Sequence, residues 1–140
     1  MSPDRTPLKL SFAQKLEAVP IVRKRVESYL LTQGCAKRAA EEVVLAVDEL
    51  CNNAVQHGPS QGKTRLKLLV HVDTGAARCR LTVPSDMTAT ELSKMTETAE
   101  LPDFESERGR GLFLIRMMVD DLSIRESGPG MVDMEFEKRL

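Results

Sequence analysis

Residues 45–58 read LAVDELCNNAVQHG, and the way polar groups interrupt an apolar repeat in this stretch decides how the rest of the chain is understood. Val43, Val47, Leu50 and Ala54 recur at helical spacing, and Gly58-Pro59 follows. The pattern predicts a helix over about 36–57 with one apolar side. Glu49, Asn53 and His57 are spaced by four. Each such step turns about 400°, so the three share one face over two turns. That face borders the apolar stripe, which puts a carboxylate and an amide at the rim of a core, where a ligand could cover them. An amide carbonyl is a hard oxygen suited to Mg²⁺. A carboxylate one turn away can hold an attacking hydroxyl or water and accept its proton. On an isolated surface helix the same spacing would mean only i,i+4 hydrogen bonds. His57 itself reads as a helix C-terminal residue in the dipole field.

Working outward, Leu8-Lys9-Leu10-Ser11-Phe12 alternates as a short strand. Pro20 suits a first helical turn; Val22, Val26, Tyr29 and Leu30 follow at helical spacing, and Gly34 is placed to end that helix. Beyond the central helix, Leu66, Leu68, Val70 and Val72 alternate with polar residues, as do Cys79, Leu81 and Val83, with a turn at Asp73-Thr74-Gly75. A third helix is expected over about 109–120. A last hairpin places Leu122 and Ile124 before Ser127-Gly128-Pro129-Gly130, and Val132, Met134 and Phe136 after it. This order predicts an α/β two-layer sandwich, a mixed but mostly antiparallel sheet covered on one face by three helices.

Between the third strand and the third helix no strand or long helix is evident, although a short helical turn fits 90–98. The stretch from about 85 to 108 is long for a structureless loop in a compact domain, and such loops are commonly functional lids. It carries seven acids (Asp86, Glu91, Glu97, Glu100, Asp103, Glu105 and Glu107) and one lysine, Lys94. It closes on Glu107-Arg108-Gly109-Arg110-Gly111-Leu112. Glycines at a loop-to-helix junction let the backbone approach a ligand, and the free N–H groups of the helix start favour phosphate. Arg108 and Arg110 can add positive charge to a phosphoryl group. A lone Gly-x-Gly is weak evidence; its pairing with the Glu49/Asn53 helix is much stronger.

The chain has 140 residues, 41% hydrophobic and 29% charged, with a net charge of −1. One domain over 1–140 is expected. The balanced charge gives no reason to invoke nucleic acid or a membrane surface as partner. The N-terminal residues lack an apolar signal core, and the three cysteines, Cys35, Cys51 and Cys79, form no CxxC pair. A cytoplasmic location follows as the expectation, with Cys51 read as core.

At this point the chain resembles the GHKL ATPase/kinase superfamily, and within it the bacterial anti-sigma factor serine kinases of the RsbW/SpoIIAB type. The 45–58 segment is similar to the family's N box, and 107–122, ERGRGLFLIRMMVDDL, to its second glycine box and following helix. The resemblance spans nearly the whole chain. It implies ATP and Mg²⁺ as ligands, Glu49 as the base that activates a partner's serine or threonine, and Asn53 as the Mg²⁺ ligand. It implies that Gly109 and Gly111, within a box that ends at Leu112, contact phosphates by backbone, and that Arg108 or Arg110 orients the γ-phosphate. It also implies phosphorylation of an anti-sigma factor antagonist, restraint of a sigma factor, and a homodimer formed through the first helix. The family carries an Asp-x-Gly box after its third strand, where the Asp reads the adenine amino group. Here the stretch is Leu81-Thr82-Val83-Pro84-Ser85-Asp86-Met87-Thr88. One register puts Ser85 at the Asp position and Met87 at the Gly. A one-residue slip uses Asp86, the candidate carried forward, with Thr88 at the Gly. Two alternatives stand beside the kinase: a protein-binding regulator with weak or no nucleotide chemistry, and a related kinase that activates a phosphatase.

Overall fold

The computed structural model describes residues 6–59, 64–97 and 107–140, with backbone alone at 97 and 107–110. Five strands form one sheet: β1 (Leu8–Ala13), β2 (Arg65–Asp73), β3 (Ala76–Pro84), β4 (Asp121–Gly128) and β5 (Met131–Arg139). Their spatial order is β1-β2-β3-β5-β4, and each neighbouring pair is antiparallel. The sheet is therefore antiparallel throughout, rather than mixed. The physical reason is connectivity: β2–β3 and β4–β5 are tight hairpins, and neither helical excursion returns its strand parallel to a neighbour.

Side-chain alternation divides the sheet into two faces. Leu66, Leu68, Val70 and Val72 of β2, Cys79, Leu81 and Val83 of β3, and Val132, Met134 and Phe136 of β5 are all buried on the helical side. The opposite face carries Lys67, His71, Arg78, Arg80, Glu135 and Glu137. It is laced by exposed pairs such as Arg78–Asp73 at 3.0 Å and Arg125–Glu135 at 2.8 Å. Such pairs add little stability but keep an open face solvated.

Four α-helices, not three, lie among the described residues: α1 (Val19–Thr32), α2 (Lys37–His57), α3 (Ala89–Glu97) and α4 (Glu107–Met118). The additional helix, α3, occupies much of the stretch expected to be a loop. Its start is a capping box: the Glu91 N–H donates to Thr88 Oγ1 at 3.1 Å and the Thr88 N–H to Glu91 Oε1 at 3.3 Å. Glu126 of β4 takes a further first-turn donor, the Ala89 N–H, at 3.1 Å. Leu92, fully buried, ties α3 into the core.

Helix α1 ends in a Schellman turn. Gly34, at φ 87°, donates to the Leu31 carbonyl at 3.0 Å, and Cys35 donates to Leu30 at 3.1 Å. Helix α2 is the axis of the helical layer, with Ala40, Val43, Val47, Leu50, Cys51 and Ala54 buried. It ends at Gly58, where any Cβ would collide with the Ala54 carbonyl and Gln14 Nε2.

Candidate functional site

Glu49 and Asn53 project from the same flank of α2, one turn apart. Asn53 is 5% exposed and Glu49 is half-buried, so the amide sits deeper than the carboxylate at the edge of the core. The last turn of α2, just beyond Asn53, is held by Gln14. This residue is 2% exposed, and its Nε2 donates to the Ala54 carbonyl at 3.0 Å. Nothing in the sequence singled out Gln14. It follows a strand and matches no motif, and only the fold brings it across to α2. His57 is the last residue of α2, in the dipole position expected for it.

The second motif lies against the first. A Cβ built on Gly111 would meet Glu49 Oε2 at 3.5 Å and Asn53 Nδ2 at 3.8 Å. The glycine thus brings α4 close over the carboxylate and amide, leaving room for about a methyl group between them. Gly109 lies in the first turn of α4, where N–H groups have no intrahelical acceptor. Gly111 lies past that turn, so what it contributes is clearance. Arg108 and Arg110 belong to the opening turns of α4, and their side chains fall outside the described residues. Leu112 is fully buried, so its side chain serves the core.

The turn after β3 separates the two candidate base contacts. Ser85 is 8% exposed; its Oγ donates to the Met87 carbonyl at 2.8 Å and accepts from the Met87 N–H at 3.1 Å. Asp86 is exposed. Of the acids assigned to a lid, Asp86 and Glu91 are described with their side chains, and Glu91 is occupied in capping α3. Glu97 and Glu107 are described by backbone alone, and Glu100, Asp103 and Glu105 lie outside the described residues.

Cys51, two residues past Glu49, faces inward. Burial, and secondarily the charge of Asp48, push its thiol up to about 12. Cys79 is raised further still by burial, with Cys51 as a second cause. Neither is a nucleophile at neutral pH. A depression of about 300 Å³ lies on the open sheet face, lined by His71, Arg78, Arg80 and Glu135 among others. It is on the far side of the sheet from Glu49 and is spanned by ion pairs, so it is not part of this site.

An antiparallel sheet backed by helices, with a carboxylate–amide helix packed against a glycine-bearing one, defines an ATPase domain of the GHKL class. The chain belongs to the histidine kinase-like ATPase domain family, whose pattern matches residues 12–136. Its relatives include the serine-protein kinase RsbW of Bacillus mycoides (strain KBAB4), 27% identical over 128 residues, 84% of this chain and 76% of that one. RsbW of Bacillus pumilus (strain SAFR-032) is 25% identical over 138 residues, 91% and 83% of the two chains. The RsbW/SpoIIAB resemblance read from the motifs is therefore borne out. Among solved structures, the RsbU and RsbW domains of a Mycobacterium tuberculosis protein superpose with a TM-score of 0.71 at 17% identity, covering 96% of this chain and 32% of that one. The Pseudomonas aeruginosa SiaB–SiaC complex gives 0.69 at 13% identity, covering 95% and 89%. These two likenesses establish the fold.

Proposed function

We propose that the chain is an ATP-dependent serine/threonine-protein kinase that phosphorylates an anti-sigma factor antagonist and, when not so engaged, holds a sigma factor inactive. The observation that carries this reading is the close approach at Gly111, where a Cβ would stand 3.5 Å from Glu49 Oε2 and 3.8 Å from Asn53 Nδ2. We read Glu49 there as a proton acceptor and Asn53 as a hard-oxygen ligand, beside a stretch of α4 that carries no side chain at Gly111. The relatives named serine-protein kinase RsbW support the same activity.

In this reading the nucleotide's phosphates lie between α2 and the start of α4. Gly109 offers a backbone N–H, and Arg108 or Arg110 offsets phosphoryl charge. Asn53 would hold Mg²⁺, whose charge offsets that of the phosphate oxygens. Among the described residues no three His, Cys, Asp or Glu side chains converge on one point. A single amide ligand completed by phosphate oxygens and water is the kind of site Mg²⁺ uses. Glu49 takes the proton from the acceptor hydroxyl as its oxygen attacks the γ-phosphorus, and the bond from that phosphorus to the β,γ-bridging oxygen breaks to release ADP. The stretch 85–108 serves as the lid, with Asp86 as the candidate adenine contact. Homodimerisation is assigned to α1, whose outer side exposes Ile21 (67%) and Leu31 (46%). No helix among the described residues is long and apolar enough to cross a membrane, and a cytoplasmic site of action fits the proposed partners.

The decisive experiment incubates the chain with labelled ATP, Mg²⁺ and a candidate antagonist protein from the same organism. Label should appear on a serine or threonine of the antagonist. Glu49→Gln should retain nucleotide and lose transfer; unchanged transfer would remove Glu49 from the mechanism. Asn53→Ala should weaken ATP binding in Mg²⁺ and make little difference in EDTA, by titration.

One observation favours a second reading. Ser85 closes its hydroxyl on Met87 while Asp86 is exposed, so the turn presents no inward carboxylate to an adenine amino group. A regulator that binds proteins and holds nucleotide weakly fits that turn. Calorimetry separates the two readings: absence of Mg·ATP binding at millimolar nucleotide selects the regulator.

A further inference from the structure

Exposed apolar side chains gather beside Glu49. Of the seven large hydrophobic residues exposed among the described residues, three lie on α2 and α4: Leu45 (56%), Leu114 (45%) and Met117 (69%). The two helices run antiparallel. Gly111, early in α4, lies against Glu49 and Asn53. At the far end, the Asp120 N–H donates to the Glu137 carbonyl at 2.9 Å, and the neighbouring Lys138 pairs with Glu42 of α2 at 3.4 Å. The end of α4 is thus beside the earlier turns of α2. Leu45 stands four residues before Glu49, and Leu114 three residues after Gly111. At 1.5 Å per residue they lie about 6 Å and about 4.5 Å along the helix axes from the level of the Glu49–Gly111 contact, in the same direction. Leu45 and Leu114 thus stand at the same level on neighbouring helices, with Met117 a turn beyond Leu114; these three residues are termed the ridge.

The charges on this ridge are equally ordered. Glu41, Leu45 and Glu49 are spaced by four along α2. Glu42 and Asp48, to either side, are paired with Lys138 and Arg23. Glu41 has no ion pair among the described residues, so its charge is available to a partner. An exposed apolar surface with acidic residues along it is complementary to an apolar protrusion flanked by lysine or arginine.

We infer that the Leu45–Leu114–Met117 ridge is the docking surface for the phosphoacceptor protein, which presents an apolar side chain between basic groups and so brings its hydroxyl to Glu49. The inference rests on the kinase reading, because a protein whose hydroxyl reaches Glu49 must cover the turn of α2 next to it.

The test uses the full chain and the antagonist protein that it phosphorylates or binds, in two measurements. One is transfer kinetics; the other is calorimetric binding of the antagonist in a non-hydrolysable ATP analogue. Leu45→Glu should raise KM for the antagonist about tenfold or more and weaken its binding equally, leaving kcat and nucleotide affinity within about twofold. Leu45→Ala should lie between. Glu41→Lys should weaken binding at low salt and lose most of that effect at high salt. Unchanged KM and binding in Leu45→Glu overturn the inference. So does a change in the chain's self-association without a change in antagonist affinity, which would assign the ridge to a second copy. Failure of the antagonist to bind the wild-type chain overturns it as well. If the wild-type chain binds the antagonist but transfers no phosphate, while Leu45→Glu binds it less, the kinase reading falls and the docking surface stands.

Discussion

Gly111 carries two opposing demands. A glycine inside a helix costs about 0.5–1 kcal/mol relative to alanine. The positions a Cβ would take, 3.5 Å from Glu49 and 3.8 Å from Asn53, are ordinary contact distances, so the apo fold has room for one. Gly111→Ala should therefore raise thermal stability slightly and, by filling the space over the carboxylate and amide, weaken ATP binding by about tenfold, or about 1.4 kcal/mol. Thermal melts and nucleotide titration on the same preparation check both signs. A gain in stability with unchanged ATP affinity would detach Gly111 from the nucleotide.

At the scale of elements, the helix ends show where local chemistry is decisive. The start of α3 depends on Thr88 and Glu91 answering each other's backbone N–H groups. Thr88→Ala should cost about 1 kcal/mol, visible as faster amide exchange over 89–97 before any change in the sheet. The end of α2 depends on close approach. A methyl at Gly58 collides with the Ala54 carbonyl and with Gln14, the residue that holds that carbonyl. Gly58→Ala should destabilise by about 1–3 kcal/mol in denaturant titration. Because the turn it disturbs follows Asn53, ATP affinity should fall with it.

For the molecule as a whole, the core between sheet and helices sets the response to alkali. Burial raises the Cys51 thiol from its ordinary value of 9.0 to about 12, and the Cys79 thiol is raised too. Above about pH 9 the unfolded chain releases these protons while the folded one retains them. Stability supplied by the neutral thiols is therefore complete below about pH 9 and is lost as pH rises toward the folded value. Chemical denaturation at pH 8, 9.5 and 11 should show this decline, and Cys51→Ala should flatten its slope whatever it does to the overall level. In the native state at neutral pH a thiol reagent should titrate at most Cys35, the half-buried one of the three, and all of them after unfolding.

Much of this protein was legible along the chain because the signals are local. Alternation in 66–72 and 79–83, the Asp73-Thr74-Gly75 turn, Gly34 after an apolar helix, and the four-residue rhythm of Glu49, Asn53 and His57 are properties of neighbouring residues obeying a helical or strand period. The Thr88-x-x-Glu91 capping signature is equally local. It marks α3, and reading 85–108 chiefly as a loop undervalued it against the surrounding acids. Other features depend on residues far apart in sequence. Gln14 reaching Ala54, Lys138 reaching Glu42, Glu126 capping α3, and Gly111 lying close over Glu49 are set by how the layers stack, and no periodicity encodes them. The amino-acid order by itself determined the elements, the face each one buries, and the pairing of a carboxylate with an amide. Only the packed molecule decided that the second glycine of the box lies against that pair, that Ser85 turns inward while Asp86 meets solvent, and that Leu45 and Leu114 stand at the same level on neighbouring helices. The physical reason is that burial and contact across layers are products of the whole core, whereas helix and strand periods are written within a few residues.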